Sequence, residues 1–164
     1  MGVEIERKYL LRSDDWRGAV VRRMRLIQGY MTRPGHGDCS VRVRIGDGDA
    51  WLSVKSAVAG VERLEFEYVI PCADAEQMLA RFCAGRVEKI RHHVPHDGVL
   101  FEIDEFLGSN AGLLVAEVEL PAVDAEFPRP SWLGREVSDQ RRYYNLHLLE
   151  HPYSCWTAAE RAGD

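Results

Sequence analysis

A chain of 164 residues, 46% hydrophobic and 29% charged, is long enough to bury one core without disulfides or a structural metal, and its balance excludes extended disorder. The formal net charge of -5 excludes a general attraction to nucleic acid or anionic lipid, so a polyanionic ligand needs a local basic site. No apolar run approaches the roughly 20 residues that span a bilayer, and the start Met1-Gly2-Val3-Glu4-Ile5-Glu6-Arg7-Lys8 is too charged for a signal-peptide core, so neither membrane nor nucleic acid is expected as a partner and the cytoplasm is the expected compartment.

In chain order, period-2 alternation predicts strands over Val3 to Leu11, Leu26 to Thr32, Ser40 to Ile45, Ala50 to Ser56, Leu64 to Ile70, Arg86 to Val94, Val99 to Phe106 and Leu113 to Leu120. The stretches Gly46-Asp47-Gly48-Asp49 and His96-Asp97-Gly98 are turn formers, and short connections of this kind join antiparallel neighbours. Between the strands, Ser13 and Asp14 cap a predicted helix over Asp15 to Arg22, and a second runs from Asp74 to Phe82 with Gly85 as its stop. A third is predicted from Asp139 to Leu149, ending before Pro152, with a proline loop from Phe127 to Trp132 ahead of it and a frayed tail from Thr157 to Asp164. The fold class expected is α+β, mainly β. Cys39, Cys72, Cys83 and Cys155 form no C-x-x-C pair, which fits reduced thiols rather than a zinc knuckle or a disulfide framework.

The charges on these strands come in pairs at i and i+2 with one sign per strand. Acids recur as Glu65 and Glu67, Glu102 and Asp104, and Glu117 and Glu119; bases recur as Arg42 and Arg44 and as Lys89 and Arg91, with Lys55 alone on its strand, while the first strand alternates Glu4, Glu6 and Lys8. Each strand by itself also fits an ordinary solvated outer face. Together, however, segregated signs call for a ligand, because like charges on adjacent same-face positions repel. If the strands close into a barrel, each set points wholly inward or wholly outward. Inward, so many charges require a wet or ligand-filled lumen. The carboxylates would suit Mg2+ or Mn2+, and the Lys and Arg groups a polyphosphate.

Glu4-Ile5-Glu6-Arg7-Lys8 resembles the E-x-E-x-K signature that opens the CYTH domain, whose members are also called triphosphate tunnel metalloenzymes. The resemblance runs in order through Arg42-Val43-Arg44, Leu52-Ser53-Val54-Lys55, Arg63-Leu64-Glu65-Phe66-Glu67, Lys89-Ile90-Arg91, Glu102-Ile103-Asp104 and Ala116-Glu117-Val118-Glu119. It ends in Val137-Ser138-Asp139 and Arg142-Tyr143-Tyr144-Asn145. Leu64 departs from it, standing where a further acid is frequent. The resemblance implies an eight-stranded antiparallel β-barrel, the triphosphate tunnel, with flanking helices, in a single domain over residues 1–150 followed by a tail over 151–164.

It also implies roles. Arg42, Arg44, Lys55, Lys89 and Arg91 would bind phosphate, with Arg142 as a further contact, and Glu4, Glu6, Asp104, Glu117 and Glu119 would hold metal. Glu65, Glu67 and Glu102 are divided between metal binding and orienting the bases. Lys8 would bind substrate and, with its pKa lowered by cations and burial, take a proton from the attacking water; Tyr30 would hold Lys8 or that water, or simply pack. His92, His93 and His96 cluster in sequence but lack a fourth ligand for zinc, and His36, His147 and His151 show no partners. Arg22-Arg23-Met24-Arg25 reads as a solvated helix end. The expected activity is metal-dependent hydrolysis of a linear triphosphate, inorganic tripolyphosphate first and an organic triphosphate second. A nucleotide or thiamine site would need an apolar platform, for which Trp51 and Trp132 are candidates. An adenylate cyclase is the alternative, although the His-Phe start associated with those relatives is absent. A non-catalytic polyphosphate or nucleotide binder is the third reading. Oligomeric state stays open between monomer and homodimer.

Overall fold

The structure, a computed structural model, describes residues 2–33, 35, 37–56 and 61–162, so His36 and the end of the tail lie outside the described residues. Eight antiparallel strands close into a barrel: β1 (Gly2–Leu11), β5 (Glu62–Ile70), β4 (Asp49–Ser56), β3 (Cys39–Gly46), β2 (Arg22–Tyr30), β6 (Val87–His96), β7 (Val99–Phe106) and β8 (Leu114–Glu119), which returns to β1. The hairpins at Asp47-Gly48 and Asp97-Gly98 have both residues at positive φ (52° and 87°, 45° and 82°), the geometry whose twist matches two strands joined by a two-residue turn. A ninth strand, β9 (Leu133–Glu136), takes over the edge of β1 where β5 leaves it. It is short and carries Gly134, where a Cβ would stand 2.6 Å from the Leu10 carbonyl oxygen; only glycine lets the two backbones meet there.

The outer face of the barrel is apolar where something covers it. Helix α1 (Cys72–Arg81) lies over β2 to β4, burying Ala75 and Leu79 against Val43 and Ala50. It sits so close that a Cβ on Gly29 would meet Cys83 and Leu79 at 2.8 and 2.9 Å. Tyr9, Trp16, Phe101, Ile103 and Trp132 form a second outer core. A third core lies inside the barrel at one end: Val87, Phe106, Leu113 and Val115 pack with Tyr143, Leu148 and Trp156.

Three helical expectations are corrected. Asp15–Ala19 is one 3₁₀ turn, and Arg22 to Arg25, expected as a helix end, begin strand β2. The β-branched pair Val20-Val21 disfavours helix there, and pairing with β6 supplies a ladder instead. The third helix splits into a 3₁₀ turn (Arg141–Tyr143) and α2 (Asn145–Glu150), because Tyr144 between them is extended and donates its hydroxyl to the Ser138 carbonyl at 2.7 Å. The tail folds as well: α3 (Ala158–Ala162) starts from a reciprocal capping box, Glu160 N–H to Thr157 Oγ1 at 3.2 Å and Thr157 N–H to Glu160 Oε2 at 2.7 Å. Trp156 anchors it, edge-on to Tyr143 and Tyr153, each at 5.1 Å. Among the described residues no helix is long and apolar enough to cross a membrane.

Candidate active site

Alternation turns the paired charges inward. A cavity of about 810 Å³ occupies the barrel, lined by Glu4, Glu6, Lys8, Tyr30, Arg42, Arg44, Lys55, Arg63, Glu65, Glu67, Arg91, Glu102, Glu117 and Glu119. Its wall extends to Arg141 and Tyr144 near α2 and to Leu100 and Phe127 near the β6–β7 hairpin.

The lumen charges form one alternating chain. Lys89 pairs with Asp104, Asp104 with Arg91 at 2.7 Å, Arg91 with Glu117, Glu117 with Lys8, and Lys8 with Glu6 at 2.6 Å. From Glu6 it continues to Arg63 (3.4 Å), Glu4 (3.3 Å), Lys55 (2.7 Å), Glu65 (3.2 Å), Arg42 (3.6 Å), Glu67 (3.3 Å) and Arg44 (3.1 Å). Ser53, sharing the inward face of β4, donates to Glu67 at 2.6 Å and accepts from Arg42 at 3.1 Å. With each base of this chain matched to an acid, the lumen avoids isolated buried charge.

The acids are unequal. Glu117 is held well below the usual carboxylate range, since Lys8 and Arg91 overcome the effect of burial. Glu4 is pushed up by burial and by Glu6, and Glu119 by burial and by Glu4, Glu6 and Glu102. Glu119 stands directly opposite Glu6 in the β1–β8 pairing and, among the described residues, makes no ion pair with a base. Mutual repulsion of clustered carboxylates is relieved by a hard divalent cation, so Glu4, Glu6 and Glu119 fit one by charge and by donor type. In the present arrangement no three described His, Cys, Asp or Glu side chains converge to coordinating distance; Glu4 and Glu6 are turned onto Lys55, Arg63 and Lys8.

Several expected residues are placed differently. Asp104 and Lys89 are fully buried beneath Arg91, outside the cavity wall; Asp104 has both oxygens on Lys89 and Arg91 and orients those bases. Glu65 and Glu67 face Arg42, Arg44 and Lys55, and Glu102 faces Arg91, each in an ion pair with a base. Arg142 is not in the cavity wall, its guanidinium lying over the rings of Tyr143 and Trp156 at 5.8 and 5.9 Å; its neighbour Arg141 lines the cavity instead. The pKa of Lys8 is raised, not lowered: burial alone would depress it, but Glu117 and Glu6 outweigh burial. The depressed lysine is Lys89, brought to about 8 by burial and Arg91 despite Asp104. Tyr30 accepts a hydrogen bond from Gln28 Nε2 at 3.2 Å and, among the described residues, makes none with Lys8. Burial keeps its phenol protonated by raising its pKa. Trp51 lies beneath Arg44 at 5.1 Å and Trp132 is buried beside Phe101, so neither forms a platform at the mouth. Arg63 was not expected as a site residue, although it shares the inward parity of Glu65 and Glu67; parity was the signal.

The CYTH domain pattern matches residues 2–148. The chain belongs to the CYTH domain family. An inorganic triphosphatase of Acetivibrio thermocellus is 40% identical to this CYTH protein over 158 residues, covering 93% of this chain and 97% of that one. An inorganic triphosphatase of Nitrosomonas europaea is 35% identical over 149 residues, 88% and 95% of the two chains. The crystal structure of an inorganic triphosphatase, 34% identical, superposes on this CYTH domain with a TM-score of 0.64 over 90% of this chain and 95% of that one.

Proposed function

We propose that this protein hydrolyses inorganic triphosphate to pyrophosphate and orthophosphate, with Mg2+ or Mn2+ as cofactor, in the cytoplasm. The observation that carries the reading is the lumen itself: a closed barrel whose inner wall sets Arg42, Arg44, Lys55, Arg63 and Arg91 around the cavity beside the repelling acids Glu4, Glu6 and Glu119. Its similarity to two inorganic triphosphatases over nearly their whole length supports the same substrate.

The guanidinium and ammonium groups take phosphoryl oxygens, fixing the chain of phosphorus atoms along the lumen and stabilising the charge that develops on the leaving pyrophosphate. A bound divalent ion would supply charge neutralisation and a more acidic water. Glu4, Glu6 and Glu119 would hold it. With Glu6 turned away, the Lys8 ammonium would be free on that side to meet the phosphoryl group under attack or the attacking water, while Glu117 stays its partner. Water oxygen bonds to the terminal phosphorus, the bridging P–O bond breaks, and the water proton leaves to a lumen carboxylate or solvent. Because Glu117 holds Lys8 as a protonated ammonium against the effect of burial, Lys8 acts as an electrostatic and orienting group.

The test is phosphate release from tripolyphosphate, ATP and thiamine triphosphate with Mg2+ or Mn2+, assaying cyclic AMP in the ATP reaction. Fast, metal-dependent release confined to tripolyphosphate is expected; cyclic AMP would make it a cyclase, and silence on all three would make it a binder. Lys8→Met should cut turnover far more than tripolyphosphate binding, and an unchanged rate would remove Lys8 from the chemistry.

A further inference from the structure

We infer that the segment from Glu136 to Tyr144 is a positioning device for the two lumen cations that flank Glu6, Lys8 and Arg63, and that Ser138 is its pivot. The inference rests on the proposed triphosphatase reading for the consequence in turnover, and on geometry alone for the positioning.

Strand β1 changes partners at Lys8. Up to Glu6 its free edge is served by the β5 side, where the Glu6 N–H meets the Val61 carbonyl at 2.9 Å. Beyond it, β9 pairs irregularly from Tyr9 to Leu11. The Lys8 N–H falls in this gap, and the acceptor it finds is a side chain: Ser138 Oγ at 2.9 Å. The Ser138 hydroxyl in turn donates to Glu136 Oε1 at 2.8 Å, and Glu136 is fixed by Arg7 at 3.1 Å. On the same edge the Lys8 carbonyl accepts from the Val137 N–H at 2.8 Å. The peptide units that aim the Lys8 side chain between Glu6 and Glu117 are therefore held by Val137 and Ser138.

The same serine reaches the second cation through its carbonyl. Ser138 O accepts the Tyr144 hydroxyl at 2.7 Å, and the Tyr144 ring lies under the Arg63 guanidinium at 5.5 Å. Arg63 bridges Glu4 at 3.3 Å and Glu6 at 3.4 Å. A buried serine, 6% exposed, with its hydroxyl on one lumen cation's backbone and its carbonyl on the other's ring support, sets both in one register. Ser138 and Tyr144 are positioning residues: neither needs to touch substrate, and their loss is felt through Lys8 and Arg63.

The experiment combines steady-state tripolyphosphate hydrolysis with amide hydrogen exchange at Lys8, on wild type, Ser138→Ala, Ser138→Thr, Tyr144→Phe and Tyr144→Leu. Ser138→Ala should lower kcat about tenfold with KM little changed, the scale expected when one buried hydrogen bond that aims a reacting group is lost. It should also lose protection at the Lys8 amide, while Ser138→Thr, which keeps the hydroxyl, restores both. Tyr144→Leu, without the ring under Arg63, should raise KM more than Tyr144→Phe. Full Lys8 protection and wild-type kcat in Ser138→Ala would overturn the inference, as would equal loss in the alanine and threonine variants at unchanged melting temperature. If Ser138→Ala does not fold, equal KM values for the two Tyr144 variants would overturn it. A wild type that hydrolyses no triphosphate sinks the functional reading alone, since the exchange at Lys8 reports on the positioning without turnover.

Discussion

Two stretches of the same inward-facing rows are built from opposite chemistry. Along β1 the row reads Glu4, Glu6, Lys8 and then Leu10; along β8, read backwards, Glu119, Glu117 and then Val115; along β7, Glu102, Asp104 and then Phe106. The apolar stretch closes on Tyr143, Leu148 and Trp156 and stabilises the fold by leaving water. The charged stretch takes ions out of bulk water and regains that cost only by pairing them, a balance often no better than neutral. One end of the barrel interior is there for the fold, and the other for a ligand carrying both signs.

The largest effect should come from the apolar end. Leu148, 1% exposed, sits within it, and Leu148→Ala should lower stability by about 2 to 5 kcal/mol through a cavity its neighbours fill only in part. Urea denaturation measures it, and turnover of the folded fraction at low temperature should stay unchanged. A loss of turnover in step with the loss of stability would break the division between the two ends.

Glu119→Gln is the reciprocal test. It removes a carboxylate that faces Glu6 and has a raised pKa, so the melting temperature should hold or rise while metal-dependent turnover falls roughly 100-fold, the scale for losing one group that stabilises transition-state charge. A variant that melts lower would show that Glu119 serves the fold. A smaller effect follows from the same repulsion. Glu4 and Glu119 titrate above the ordinary carboxylate value of 4.5, and protonation removes the donor. Affinity for Mn2+, measured by calorimetry without substrate, should therefore begin to fall at a pH above 4.5 as the solution is acidified, and in Glu119→Gln that decline should be shallower.

The barrel was legible because each of its eight strands carries a stretch of period-2 alternation, and the paired charges were legible as a ligand site because their signs are segregated. What escaped was set by partners distant in sequence. Lys8 was expected to be depressed by neighbouring cations, yet Glu117, far along the chain on β8, decides its state. Arg142 and Arg141 are equivalent in a sequence read residue by residue, and only the 3₁₀ turn at Arg141–Tyr143 sends the first to Trp156 and the second to the cavity wall. Strand β9, four residues long with a glycine inside, has no periodicity to detect. The tail did carry a signal: Thr157-Ala158-Ala159-Glu160 spells the capping box that starts α3.

The smallest expected effect lies outside the barrel and separates the pH response of the fold from that of the lumen. His92 points outward from β6, 3% exposed, edge-on to Trp16 at 5.0 Å and with its ring nitrogen 3.0 Å from Glu105. Burial holds its pKa below the ordinary 6.5; Glu105 opposes the shift, and Arg23 and Arg17 add to it. The unfolded chain then binds this proton more readily than the folded one, so the stability His92 contributes is complete above pH 6.5 and is lost as pH falls through the lowered value. His147 adds a loss of the same sign, its pKa lowered by burial and Arg141. Between pH 7.5 and 5.5, His92→Gln should therefore lose less stability than wild type, by no more than about 1.4 kcal/mol, as read from urea midpoints. The acid decline in Mn2+ affinity should be identical in the two proteins, because His92 touches none of the lumen acids. A shift of both together would mean that the outer core and the tunnel titrate as one unit.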